Sequence, residues 1–174
     1  MTTAEVRTRP FAALSAREHH DIDIIDDVAF ANHPYHHYSW ATPDYHIGLW
    51  RADELLSSIF FFVRAGTIGG RAATICGLGG VMTSPAQRGR GYASQAVRHA
   101  RDLMFDQHHA DLGFIVCTPE VYSFYTQHGW QLNSAPVTVQ QPAGAMIWPD
   151  PTMVLLPDGE IWSQQPIDLC GLPW

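Results

Sequence analysis

The chain has 174 residues, of which 46% are hydrophobic and 16% charged, and its formal net charge is −7 at pH 7. This length and balance predict a soluble globular domain with a real core and exclude a disordered chain. Every basic residue is an arginine, and an acidic chain without a basic stripe is a poor partner for nucleic acid. The negative charge either attracts a small cationic molecule or serves solubility alone.

Several other classes are excluded by the absence of their sequence signals. The most apolar run, Ile59 to Val63, has the length of a strand and falls far short of the ~20 residues of a membrane span. The first residues, MTTAEVRTRPFAAL, contain no apolar signal core, so we expect a cytoplasmic protein without membrane association. Three scattered cysteines predict neither a disulfide framework nor a metal site. We therefore predict one domain over residues 1–174.

The first half of the chain predicts a helix followed by three strands. Residues 15–33 have a helical pattern, with Ser15 as the N-cap and Glu18 completing a capping box. A polar and aromatic loop or short helix follows over 33–46, and a strand over 46–52. Strands near 55–67 and 71–83 then form a long hairpin around a Gly69-Gly70 turn.

The second half predicts two more helices that alternate with strands. Apolar residues from Ala93 to Met104 recur at helical spacing, and 112–118 is a buried strand. Residues 119–129 predict a short helix that Gly129 ends, and the tail holds the strand patterns VTVQQ and TMVLLP. The fold class is therefore α/β (α+β), with one mostly antiparallel mixed sheet flanked by helices.

An arginine-glycine loop, QRGRGYAS, joins the hairpin to the second long helix. The first N–H groups of a helix lack intrahelical partners, and the helix dipole adds positive charge there. Glycines at 89 and 91 permit close approach of the backbone, and Arg88 and Arg90 add cationic donors. The loop therefore predicts a phosphate or pyrophosphate site. A P-loop is excluded because the chain has no lysine, and the pattern fits a dinucleotide fingerprint poorly.

The loop instead satisfies Gln/Arg-x-x-Gly-x-Gly/Ala with Arg88, Gly91 and Ala93. Here the chain resembles the GNAT (GCN5-related N-acetyltransferase) superfamily. GGVMTSPAQRGRGYASQAV resembles its motif A, and FIVCTPEVYSFYTQHGW resembles its motif B. The resemblance implies a GNAT fold with acetyl-CoA as cofactor. It assigns the pantetheine arm to the backbone of Val81, Met82 and Thr83. It assigns the pyrophosphate to Arg88, Gly89, Arg90, Gly91, Tyr92, Ala93 and Ser94.

The reaction that the resemblance implies is attack of an amine on the thioester carbonyl. It needs a neutral amine and a proton for the departing thiolate. Tyr125 falls where the family places its general acid, and Tyr122, three residues earlier, is the rival. Many relatives have a carboxylate on the strand before Val81, but this chain has CGLGG, whose glycines either make room for substrate or support a bulge. The base is therefore absent or comes from elsewhere, with these candidates: Asp44, Glu120, His33, His36, His37 and His46.

The segment NHPYHHYSWATPDYH follows the first helix, where the superfamily often walls its acceptor site. Tyr35, Tyr38, Trp40 and Asp44 are the candidate contacts to a polar ligand. A metal is not expected, because no histidine pair has a recognised zinc spacing. The alternative is a surface loop with anchoring aromatics.

The tail resembles that of aminoglycoside 2'-N-acetyltransferases, with Gly129-Trp130, Val154 to Pro157 and Trp174. That resemblance implies that Trp174 and its carboxylate help to hold the acceptor, although Leu172 stands where the group has an acid. A docked hydrophobic side chain is the alternative for Trp174.

These observations predict an acetyl-CoA-dependent N-acetyltransferase for a small cationic amine, with aminoglycosides as the first candidate. The alternatives are an acyltransferase for a polyamine, an amino-acid derivative or a peptide N-terminus, and a CoA-binding module without turnover. A homodimer is one assembly that we consider.

Overall fold

The computed structural model describes residues 3–157 and 160–174, in which three helices pack on a ten-stranded mixed sheet. The helices are α1 (Ala16–Ala29), α2 (Tyr92–Asp102) and α3 (Tyr122–Thr126). The first five strands are β1 (Glu5–Pro10), β2 (Tyr45–Arg51), β3 (Glu54–Ile68), β4 (Arg71–Thr83) and β5 (Leu112–Ile115). The last five are β6 (Gln131–Asn133), β7 (Val137–Gln141), β8 (Gly144–Ile147), β9 (Thr152–Leu155) and β10 (Ile167–Asp168).

The sheet is built around the long β3–β4 hairpin. Its main path runs β6-β9-β5-β4-β3-β10-β7-β8, while β1 and β2 extend from β3 off that path. Most neighbours are antiparallel, but β4 pairs with β5 and β10 pairs with β7 in parallel. The hairpin turns at Gly69 and Gly70, whose φ angles of 57° and 77° favour glycine. The predicted fold class and hairpin are confirmed.

Helix α1 begins as the sequence predicts and ends sooner. Ser15 caps it, and Ser15 and Glu18 exchange the two bonds of a capping box. The predicted end at residue 33 is wrong, because the helix stops at Ala29 and turns follow. Pro34 explains part of the difference, since the residue before a proline avoids helical backbone angles.

The core lies on both faces of the sheet. One cluster packs α2 and α3 against the sheet and includes Ile47, Phe61, Leu78 and Tyr125. The other, on the opposite face, gathers residues of the tail strands and includes Trp174. The predicted helix over 119–129 is a 3-10 turn, Pro119–Val121, followed by α3, and Gly129 has a φ of 83° just beyond it.

Candidate active site

A cavity opens where β4 and β5 separate. The two strands are paired from Ile75–Leu112 to Leu78–Ile115, after which β5 ends and β4 continues to Thr83. The cavity, about 920 Å³, lies between residues 79–83 on one side and residues 115–118 on the other. This volume is within the range of small-molecule sites. On the side of β5, the backbone of β4 beyond Leu78 therefore faces open space instead of a neighbouring strand.

A bulge in β4 turns this segment toward the cavity. Ser58 pairs with Met82 while Phe60 pairs with Gly79, so β4 has one more residue than β3 between the two pairs. Gly80 lies in this bulge with a φ of 52°, a conformation that L side chains rarely adopt. Val81, Met82 and Thr83, the expected pantetheine contacts, all line the cavity.

The arginine-glycine loop forms the end of the cavity next to α2. Gly89 and Gly91 have φ angles of 75° and 78°, and Gly91 is the N-cap of α2. The N–H groups of the first helical turn, from Tyr92, therefore point toward the cavity end without intrahelical acceptors. Of the seven predicted loop residues, six line the cavity, and Arg90 does not.

Side-chain contacts of Arg88 and Ser94 help to hold this loop. The Arg88 side chain donates from Nε to the carbonyl oxygen of Thr83 at 3.4 Å. The Ser94 hydroxyl lies 3.0 Å from Nε2 of His128. The sequence analysis did not single out His128, because nothing in the local pattern pairs the end of α3 with the start of α2.

Tyr125 reaches the cavity from α3. Its side chain is 4% exposed, lines the cavity and packs against the Trp130 ring, with centroids 5.7 Å apart. Burial raises the pKa of Tyr125 well above its usual 10, so the hydroxyl keeps its proton at neutral pH. Its rival, Tyr122, is outside the cavity lining and donates its hydroxyl to the carbonyl oxygen of Pro151 at 3.1 Å.

The segment after α1 contributes some of its predicted contacts and not others. Tyr35 and Trp40 line the cavity. Tyr38 does not, and its ring packs on Trp148 with centroids 4.7 Å apart. Asp44 lies outside the lining as well, and its carboxylate accepts the backbone N–H of Val63 at 2.8 Å.

Proton-accepting groups of the cavity lie on α1 and the turns that follow it. His33 and His36 line the cavity, and burial lowers the pKa of His33 from 6.5, which favours the neutral ring. Two other predicted base candidates lie outside the main cavity. His46 is buried in the sheet, with its Nε2 2.8 Å from the Ser58 hydroxyl, and Glu120 lines a smaller neighbouring cavity. Asp26 also lines the main cavity, and the sequence analysis missed it. A helical signal was available, because Asp26 follows the buried Ile22 by four residues and so shares its face.

Trp174 closes the cavity from the face of the sheet opposite to that of Tyr125. Its side chain is 3% exposed and lines the cavity, and its indole N–H donates to the carbonyl oxygen of Phe114 at 3.1 Å. The ring stacks on Phe62, with centroids 5.3 Å apart and planes 12° apart. A Cβ on Gly77 would lie 1.7 Å from the indole nitrogen. Gly77 therefore makes room for Trp174, where the sequence analysis had considered substrate.

Cys117 lines the cavity too, but burial raises the pKa of its thiol to about 12, which disfavours a nucleophilic thiolate.

Within residues 3–157 and 160–174, no group of three or more His, Cys, Asp and Glu side chains is arranged to hold a metal ion. No helix in the described part of the chain has the length and apolar character needed to cross a membrane.

The family model of the acetyltransferase (GNAT) domain matches residues 13–133. The chain belongs to the GNAT acetyltransferase family. Members of this family use acetyl-CoA as acyl donor. The matched range contains the bulged end of β4, the arginine-glycine loop and Tyr125. No curated protein sequence matches the chain.

Solved structures give the same fold at low sequence identity. Escherichia coli ElaA is 16% identical with a TM-score of 0.63, and the match covers 88% of this chain and 99% of that one. An acyl-CoA N-acyltransferase from Pseudomonas aeruginosa is 16% identical with a TM-score of 0.61, over 88% and 99% of the two chains. A GNAT family acetyltransferase from Brucella melitensis, solved with acetyl-CoA, is 14% identical with a TM-score of 0.62, over 96% of each chain.

Proposed function

We propose that this GNAT protein is an acetyl-CoA-dependent N-acetyltransferase that acts on the amine of a small cationic molecule. One observation carries the proposal. A single cavity joins the start of α2, the bulged end of β4 and the buried hydroxyl-bearing residue Tyr125. These parts supply, in order, an anion site, an open strand edge and a proton donor.

Acetyl-CoA would lie along this cavity. The backbone of Val81–Thr83 would pair with the amides of the pantetheine arm, as a strand would. The N–H groups at the start of α2, with Arg88 and Ser94, would hold the pyrophosphate, because that end is positive and Arg88 adds a charged donor. The thioester would then lie between the separated strands, near Tyr125.

The chemistry follows from that placement. The neutral amine attacks the thioester carbonyl, so the new C–N bond forms as the C–S bond breaks. The amine nitrogen gives up a proton, for which His33 and His36 are acceptors on the cavity wall. Tyr125, which burial keeps protonated at neutral pH, gives its proton to the sulfur, and the proton released by the amine then restores the phenol.

The resemblance of the tail makes aminoglycosides one class of acceptor to test. Of the residues that carry this resemblance, Trp174 lines the cavity. The family match ends at residue 133, before most of that tail. Polyamines, amino-acid derivatives and peptide N-termini represent the other acceptors, and a CoA-binding module without turnover is the non-enzymatic alternative.

Thiol release from acetyl-CoA across that panel tests the proposal, with Tyr125→Phe as the diagnostic variant. We expect kcat to fall about 10²–10⁴-fold, the usual contribution of a general acid, while the Kd for acetyl-CoA stays unchanged. Tyr122→Phe is the matched control, because it removes a hydroxyl from the same helix outside the cavity. Unchanged turnover in Tyr125→Phe contradicts the acid role, and acetyl-CoA binding without thiol release for any amine favours the module.

A further inference from the structure

Ser94 brings a hydroxyl to the end of the cavity where the pyrophosphate would lie. It is on the first turn of α2, just after the N-cap Gly91, and it lines the cavity. The N–H of Gln95 donates to the carbonyl oxygen of Gly91 at 3.0 Å, whereas the N–H groups that precede it in the helix lack intrahelical acceptors. The Ser94 hydroxyl therefore lies beside N–H donors that suit an anion, and it adds to them when its own hydrogen points the same way.

The partner of this hydroxyl comes from the end of α3. Nε2 of His128 lies 3.0 Å from the Ser94 Oγ, and His128 is not part of the cavity lining. The ring of Phe124 packs edge-on against the imidazole, with centroids 5.0 Å apart, and the backbone N–H of His128 donates to the carbonyl oxygen of Tyr125 at 2.9 Å. The imidazole is therefore held against Ser94 without lining the cavity itself.

The imidazole decides where the single proton of the hydroxyl points. When Nε2 has no proton, it accepts the hydrogen of the Ser94 hydroxyl, and serine lone pairs are left for the pyrophosphate. When Nε2 carries a proton, it donates to the Ser94 Oγ, and the serine hydrogen is available for a phosphate oxygen. A bound pyrophosphate therefore favours a proton on Nε2, and its negative charge favours the imidazolium over the neutral ring.

The charges around His128 have the opposite effect before the anion binds. Burial and the nearby Arg98 of α2 lower the pKa of His128 from 6.5, so the ring is neutral at pH 7. Helix α3 also carries Tyr122 and Tyr125, whose raised pKa values keep both phenols neutral, and β6 has no titratable side chain. A bound anion raises the pKa of His128 again, so binding takes up a proton and strengthens as the pH falls below neutral.

We propose that His128 is a positioning residue for the pyrophosphate of acetyl-CoA. It donates from Nε2 to the Ser94 Oγ and so directs the serine hydrogen to a phosphate oxygen, while making no bond to the cofactor itself. This inference rests on the proposed function, because that function places the pyrophosphate at the start of α2.

Isothermal titration with acetyl-CoA tests the contact. We expect His128→Leu to raise the Kd about fivefold, and His128→Gln, whose amide N–H has a similar reach, to restore most of the affinity. Ser94→Ala should weaken binding to a similar extent, and His128→Leu should add nothing in that background. His99→Leu is the matched control, because Nε2 of His99 lies 2.8 Å from the Thr8 hydroxyl, on the same helix and outside the cavity lining.

A pH profile separates this role from support of the fold. The ligand is 3'-dephospho-CoA, because the 3'-phosphate of CoA itself titrates near about pH 6. From about pH 7.5 to about pH 5.5, its Kd should fall at least about threefold for the parent and His99→Leu, and clearly less for His128→Gln.

Three results overturn the inference: an unchanged Kd in His128→Leu, an equal loss from that substitution with and without Ser94→Ala, or the same pH profile in the parent and His128→Gln. Thiol release from acetyl-CoA by the parent in any of these cases leaves the proposed function standing. A parent protein that does not bind acetyl-CoA overturns both.

Discussion

Gly77→Ala should expel the indole of Trp174 from the sheet. The added Cβ would lie 1.7 Å from the indole Nε1 and 1.9 Å from Cε2, closer than any two such atoms can approach. Gly77 cannot retreat, because it lies in the middle of β4, paired with Phe62 on one side and Phe114 on the other. The ring of Trp174 must therefore leave its place.

The cost follows from what the indole loses. Its hydrogen bond to Phe114 contributes about 1 kcal/mol. Losing a buried aromatic side chain outright costs roughly 3–5 kcal/mol, and this sets the upper limit for Gly77→Ala. We expect about 3 kcal/mol of destabilisation, because an expelled indole can still cover some apolar surface. Once Trp174→Ala has removed the ring, the methyl group has space, so the double variant should be about as stable as Trp174→Ala alone.

Urea unfolding of the parent, the two single variants and the double variant measures this coupling directly. The coupling energy should be about 3 kcal/mol, because Gly77→Ala should hardly change the free energy of unfolding once Trp174→Ala is present. The Kd for acetyl-CoA should change little, because Trp174 lies across the cavity from the arginine-glycine loop. Additive costs for the two substitutions would refute the reasoning, since they would mean that Gly77 and Trp174 do not compete for one space.

Two further predictions concern charge. Arg88→Gln should weaken acetyl-CoA binding about tenfold and make it less sensitive to salt. Arg71→Gln, at the exposed start of β4 and outside the cavity lining, should change neither. Isothermal titration at two salt concentrations checks this. Burial lowers the pKa of His46 from 6.5 to about 4. Between pH 6.5 and pH 4, the unfolded chain therefore binds more protons than the native chain. Stability should therefore fall by about 3 kcal/mol as the pH drops from 6.5 to 4. Urea unfolding of His46→Gln should show a shallower fall, and an unchanged slope contradicts the role of His46.

The sequence was sufficient where the signal is local. The capping box at Ser15, the Gly69-Gly70 turn and the periodicity of α2 each lie within a few neighbouring residues. Strand β1 was missed because its six residues, EVRTRP, are mostly exposed and polar and acquire their strand form by pairing with β2. Strand β10 has two residues, too few to show any alternation, and its place is set by its partners β3 and β7.

The same distinction applies to the candidate site. The candidate anion site at the start of α2 depends on consecutive residues, so it could be predicted from their pattern. Asp26 and His128 reach the site only because α1 and α3 pack where they do. Tyr38 and Asp44 looked equivalent to Tyr35 and Trp40 in the sequence, yet Tyr38 packs on Trp148 and Asp44 accepts the N–H of Val63. Which members of an aromatic segment face a cavity is decided by tertiary contacts.

The glycines of β4 lie where a longer side chain would meet other parts of the fold. Gly80 is needed for the positive φ of the bulge that turns Val81 toward the cavity. Gly77 is needed because the indole of Trp174 occupies the space where its side chain would stand. A Cβ on Gly79 would lie 3.1 Å from Cε2 of Phe62, which is a tight contact, and 3.4 Å from the backbone carbon of Trp174, which is an ordinary one. A carboxylate at 77 therefore requires that Trp174 leave, whereas a side chain at 79 requires the Phe62 ring to shift slightly. His33 and His36, which line the cavity on the turns after α1, therefore remain the proposed proton acceptors.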